Sequence, residues 1–331
     1  MLRINAVFRR RDAPASRRRR RQIFAIIVTF GMTGPVLAHG IAGNRLFPGT
    51  FSFDDPEVSD EFVFSPFSTV QRPAPDGHDV VDETVTWSFM RLLTPTIAIG
   101  VDSGWIHRDW GQFQRSGFDT ANLTLKARLY KNDPDEILVS AGLTWGIGGT
   151  GAQGVGAGGP NTIQPGIFFG KGFGDLPDSL AWLRPFAITG GAVMEFPTQA
   201  SSTVFGIDPV TGVPGPISIR DVDTLHWGVS IQYSTYYLTD RFTGGPPKEE
   251  PLNQFVPLVE FAFISPYSQK TAATMYPGLA YVADTWQVSA LLIVPLNRRA
   301  GRGIGAGTQL LLFLDDLIPA LFGKPLLSGG L

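Results

Sequence analysis

No cysteine occurs in the 331 residues, which excludes disulfides, thiolate nucleophiles and Cys-based metal sites. Histidine is scarce at four, and His78, His107 and His226 are scattered without ligand spacing. Charge is thin as well. Asp, Glu, Lys and Arg make up 17% of the chain, where soluble proteins usually carry about a quarter. No apolar run reaches the ~20 residues of a membrane-spanning helix. In place of these, the chain has 39 Gly, 26 Pro and 43% hydrophobic residues. That composition suits many turns and argues against an all-helical fold.

The formal charge of −2 hides an asymmetry. Residues 1–38 hold nine of the 27 basic residues (Arg3, Arg9–Arg11, Arg17–Arg21) and one of the 29 acids, Asp12; the remainder has 18 basic against 28 acidic residues, a charge near −10. Nucleic-acid binding needs the opposite balance. The same 38 residues read as an export signal: a basic stretch ending at Arg21, an apolar segment Ile23–Leu37, and Val36-Leu37-Ala38 at the cleavage spacing. An uncleaved anchor is the alternative. Arg20-Arg21 resembles a twin-arginine signal, but general secretion is the preferred route. Cleavage after Ala38 would expose His39, whose amine and ring nitrogen are a weak copper-binding candidate; an ordinary chain end is the simpler reading.

From residue 81 the chain alternates apolar and polar positions, the period of a strand with two different faces. Ala121–Tyr130 is the clearest case. Ala121, Leu123, Leu125, Ala127 and Leu129 form one face; Asn122, Thr124, Lys126, Arg128 and Tyr130 form the other. Leu225–Tyr233 repeats the pattern, with Leu225, Trp227, Val229, Ile231 and Tyr233 opposite His226, Gly228, Ser230 and Gln232. Further segments are Thr84–Met90, Ile97–Trp105, Ile137–Gly146, Ile163–Phe173, Trp182–Phe196, Phe255–Phe263, Met275–Val282, Trp286–Val294 and Gly303–Leu314. The total is about eleven strands, or twelve if Glu61–Val70 contributes one. Arg108–Asp119, Gly148–Asn161, Pro197–Asp221 and Asp240–Asn253 read as loops. The glycine-rich one lacks the Gly-Lys-Ser/Thr of a phosphate loop. Short turns after 93, 131, 174 and 283 alternate with longer loops after 107, 147, 196 and 296, the habit of outer-membrane barrels.

Alternation alone also fits a soluble sandwich. Three features favour lipid. Segments of 9–12 residues exceed the usual strand of about five or six and suit a tilted bilayer crossing. Trp87, Trp105, Trp145, Trp182, Trp227 and Trp286 stand near strand ends on the apolar face, where an interfacial girdle belongs. The opposite face is rich in Gly, Ser, Thr and Gln, fit for a wet lumen. The predicted fold is all-β, a transmembrane antiparallel up-and-down barrel of about twelve strands in the outer membrane. Its expected parts are a signal (1–38), an N-terminal arm or plug (39–80), a barrel (81–314) and a C-terminal tail (315–331).

Both ends of the chain resemble a known family. His39-Gly40, Gly43-Asn44-Arg45-Leu46-Phe47-Pro48 and Asp54-Asp55-Pro56 carry the likeness near the start. Gln309, Phe313-Leu314-Asp315-Asp316-Leu317-Ile318-Pro319 and Gly323-Lys324-Pro325-Leu326 carry it at the end. The chain is similar here to the meta-pathway phenol-degradation proteins, often described as transporters. The resemblance implies an outer-membrane barrel of unassigned cargo. A terminal tail replaces the aromatic last residue common in such barrels.

The candidate lumen-facing residues are Asp102, Lys126, Arg128, Glu195, His226 and Glu260. Their charges would tune the selectivity of a passive channel or transporter for small molecules. A narrow barrel that binds or supports without conducting is the alternative, and a lipid hydrolase is a weaker one. Ser230 and His226 share the polar face but stand roughly 13 Å apart at strand rise, too far for a nucleophile and its base. No catalytic residue and no cofactor motif is identified. The expected partners are outer-membrane lipid, a small solute and the barrel-assembly machinery, with no nucleic acid.

Overall fold

The computed structural model describes residues 41–43, 45–74, 76–208, 210–235, 237 and 254–327. The expected export signal, His39 and the whole of the Asp240–Asn253 loop lie outside the described residues. Among the described residues seventeen strands occur in chain order: β1 (Ile41–Ala42), β2 (Arg45–Leu46), β3 (Glu61–Pro73), β4 (Asp79–Thr94), β5 (Ile97–Asp109), β6 (Gln114–Phe118), β7 (Ala121–Asn132), β8 (Ile137–Ile147), β9 (Thr162–Gly172), β10 (Phe186–Pro197), β11 (Ser201–Ile207), β12 (Pro214–Arg220), β13 (Thr224–Tyr233), β14 (Phe255–Pro266), β15 (Ala272–Val282), β16 (Trp286–Pro295) and β17 (Gly305–Phe313). Twelve of them form a closed antiparallel barrel. Closure comes from β17 pairing with β3, Ala306 opposite Thr69 and Phe313 opposite Glu61. Glu61–Pro73 is thus the twelfth wall strand, and a closed ladder leaves no unpaired sheet edge to meet lipid.

The outer face follows the alternation. Ile99, Val101, Leu123, Leu125, Leu143, Ile167, Leu225, Ile231 and Leu292 are all exposed, and large apolar side chains exposed together mark a surface that meets something other than water. Trp105, Trp145, Trp227 and Trp286 are exposed among them. The inner face differs between the two ends. The proximal end is the one where β3 begins and β17 finishes. There Val256, Leu258, Ala280, Val282, Leu311 and Phe313 form a buried apolar cluster, and Val58, Met90 and Ala98 form a second. The proximal half of the interior is packed like a soluble core.

Four expectations need correction. Tyr130 does not share the face of Lys126 and Arg128. A bulge after Arg128 pairs Tyr130 with Val139, whose neighbours Leu138 and Ser140 point inward and are fully buried; the extra residue turns Tyr130 outward. Arg108–Asp119 is not wholly loop: β5 runs to Asp109 and β6 pairs back on it, Ser116 opposite His107. Pro197–Asp221 contains the hairpin β11–β12, joined from Ser201–Arg220 to Ile207–Pro214. Finally, β10 starts at Phe186, and Trp182 lies in a 3₁₀ turn, Asp178–Leu183. Pro177 and Pro185 flank that turn and cannot donate to a ladder.

The alternation of turn lengths is also only partial. Connections 95–96, 133–136 and 283–285 at the proximal end are short, but 173–185 and 234–254 at the same end are long. At the distal end 74–78 and 267–271 are short. The tail returns to the wall: Leu326 N donates to Leu92 O (3.1 Å) and Leu327 N to Leu93 O (2.8 Å).

Candidate functional site: a lumen occupied by the N-terminal arm

Residues 45–60 enter the barrel from the proximal end, turn near its middle and return to start β3. Their path is fixed by side chains from widely separated strands. At the entry, Gly43 N donates to the Asp133 carboxylate (2.9 Å). Arg45 is buried; its guanidinium pairs with Glu136 at 3.2 Å and donates to Pro185 O (3.2 Å) and to Arg184 O. The long connection 173–185 supplies those carbonyls, which gives its length a purpose.

From Pro48 to Ser52 the arm is held by its backbone. Gln232 Nε2 donates to Pro48 O (3.4 Å). Gln287 makes a two-way contact with Gly49, accepting from its N–H (3.1 Å) and donating to its carbonyl (3.0 Å). Gln309 Nε2 donates to Thr50 O (3.2 Å). The Glu260 carboxylate accepts from Phe51 N and Ser52 N, each at 2.9 Å. Backbone groups taken out of water need such partners, and four strands supply them here in place of a ladder. Glycines make room for the rings between: a Cβ on Gly307 would stand 2.8 Å from Phe51 Cζ, and one on Gly228 would stand 2.6 Å from Phe53 Cδ1.

The returning limb is acidic and meets cations. Lys126 Nζ, fully buried, lies 2.8 Å from Asp54, 3.8 Å from Asp55 Oδ1 and 2.7 Å from Asp55 O, with the Phe168 ring centroid 5.1 Å away. Arg128 reaches Glu57 at 3.5 Å and donates to Pro95 O at 2.7 Å. Burial pushes the Glu57 carboxyl up to about 7, against the opposing pull of Arg128. Asp60 closes the loop, accepting from Leu92 N (2.6 Å) and pairing with Arg91. The same guanidinium donates to Leu321 O (3.0 Å) and Lys324 O (2.8 Å) of the tail.

The six candidates are therefore not one cluster. Lys126, Arg128 and Glu260 hold the arm. Asp102 accepts from Asn122 (2.8 Å) beside a cavity of about 410 Å³ bounded by arm and wall, which Asp54, Asp119, Thr124 and Gln164 also line. Glu195 and His226 pair with each other at 3.2 Å. Ser230 Oγ is buried with no hydrogen-bond partner, while the His226 ring contacts Glu195. Missed in the sequence were Arg45, Arg91, Gln232, Gln287 and Gln309, together with the arm acids Asp54, Asp55, Glu57 and Asp60. One signal was available: Asp54-Asp55-Pro56-Glu57 is opposite in sign to Lys126 and Arg128.

Comparison with known sequences finds no matching family and no matching curated protein. The resemblance at the two chain ends thus rests on those residues alone. Solved structures do match. An outer-membrane channel from Pseudomonas putida F1 aligns with a TM-score of 0.50 at 10% identity, over 81% of this chain and 99% of the other. The NanC porin gives 0.43 at 8% identity, over 76% and 98%. The Ralstonia pickettii toluene transporter TbuX gives 0.32 at 12% identity, over 71% and 67%. At these identities what is shared is the fold, and the Pseudomonas channel carries that likeness: the chain is a closed barrel of the outer-membrane kind.

Proposed function

We propose that this protein is an outer-membrane channel for small molecules whose resting state is closed by its own arm. The observation that carries this reading is the mode of docking. Residues 48–57 are held by side chains, through Gln287, Gln309, Glu260, Lys126 and Arg128, and not by a sheet ladder, so the arm can leave without unzipping the wall. Its departure would join the cavity already bounded by arm and wall to the polar cavity at the distal end of the lumen. The carboxylates and amides there, including Asp102 and Glu195, would then tune which solute passes. A hydrophobic or aromatic cargo belongs to the same reading. It draws on the family resemblance and on Phe51, Phe53 and Phe168 at the cavity wall.

Planar-bilayer recording tests the proposal. The full chain is expected to give rare, brief openings, and deletion of residues 45–58 a steady conductance with solute uptake into liposomes. Silence from both proteins, with no uptake, would leave the second reading, a binding barrel that does not conduct. The dry packing of Val58 against Met90 and Ala98 favours that alternative.

A further inference from the structure

The connection between β10 and β13 does not stay above its own strands. Its hairpin β11–β12 reaches the loops that follow β3 and β5. In the ring, β9, β8 and β7 separate β10 from β5, and β14 to β17 separate β13 from β3, so the hairpin crosses the distal mouth. At its base it is continuous with the wall, with Asp221 N bonded to Ala200 O (3.0 Å). At its far end it is held by a junction around one carboxylate. Asp76, whose side chain is fully buried, accepts from Ile207 N (2.7 Å) of the hairpin and from Trp110 Nε1 (3.1 Å) of the β5–β6 loop. Phe205 packs edge-on against Phe113 (5.6 Å) and Trp110 (6.3 Å), and the Arg115 guanidinium lies 4.5 Å over its ring.

Beneath the hairpin is a polar cavity of about 380 Å³, walled by Ser202, Arg220 and Asp221 from above and by Gln164, Glu195 and Thr224 from the barrel. A two-stranded hairpin has little stability of its own, so its position depends on that far junction together with the packing of β11 along the 3₁₀ turn Gln153–Val155. The geometry points to β11–β12 as a gate over the distal mouth, latched by Asp76, which admits small hydrophilic solutes to the polar cavity when the latch opens. The inference concerns a different end of the lumen from the arm and stands whether or not the barrel conducts.

The absence of native cysteine makes the test clean. A Cβ built on Gly206 lies 3.1 Å from the Asp76 Cβ, close to the ~3.5–4.5 Å of a disulfide. Gln164→Cys serves as a reporter in the cavity, in the full chain in detergent, and its modification by a cationic methanethiosulfonate is timed. Adding Asp76→Ala is expected to speed labelling about tenfold. Adding the oxidised pair Asp76→Cys with Gly206→Cys is expected to slow it about tenfold, and reductant should raise the rate to that of Asp76→Ala. Phe205→Ala should speed labelling too and replaces Asp76→Ala if that variant does not fold. Rates within twofold across all variants, or no release on reduction of the pair, would overturn the gate.

Discussion

Lys126 illustrates what a single residue does in this barrel. Its ammonium is removed from water and faces two arm carboxylates, and loss of one partner of a buried pair usually costs about 3–5 kcal/mol. Because the Asp54 carboxylate left behind is 39% exposed, the lower end of that range applies, and Lys126→Met should shift the arm toward release by about two orders of magnitude, seen as more frequent openings and faster proteolysis of residues 45–58. The barrel itself should still resist protease. Glu57 supplies a pH dependence of known sign. Its carboxyl titrates near 7 when docked, against 4.5 ordinarily. Its contribution to docking is therefore fully present below about 4.5 and is lost as pH rises through 7. Arm proteolysis should be slower at pH 5 than at pH 8, and Glu57→Gln should flatten the difference. Sequence reading put Lys126, Arg128 and Tyr130 on one face of β7, whereas Tyr130 pairs with Val139 and turns away. A bulge inserts one residue without any change in composition, so alternation alone does not reveal it.

At the level of elements, the wall strands were legible because lipid and lumen impose different chemistry on alternate positions. The arm was not. Its conformation answers to side chains far away in the chain, 238 residues between Gly49 and Gln287 and 259 between Thr50 and Gln309, and leaves no period behind. The β11–β12 hairpin was also missed, since β12 opens with Pro214, Gly215 and Pro216, residues that argue against a strand. Packing between arm and wall makes a further prediction. Gly307→Leu would push a side chain into the space of the Phe51 ring, so conductance should rise while the folded barrel persists. A Gly307→Ala change should do less.

For the whole molecule, the closed ladder and apolar belt predict a protein extracted from membranes only with detergent. Unheated, it should migrate anomalously on a gel and shift on boiling, because breaking one strand pair in a ring exposes both new edges. Recovery in the soluble fraction would contradict the belt argument. The cradle of the arm has another consequence, in time rather than space. Its contacts come from β7, β13, β14, β16 and β17, and β17 is the last wall strand to be synthesised. An incomplete barrel has no full cradle, so the arm must wait until the ring closes. Occlusion then reports completion: a chain truncated before β17 should keep residues 45–58 open to protease, and only a finished barrel should hide them.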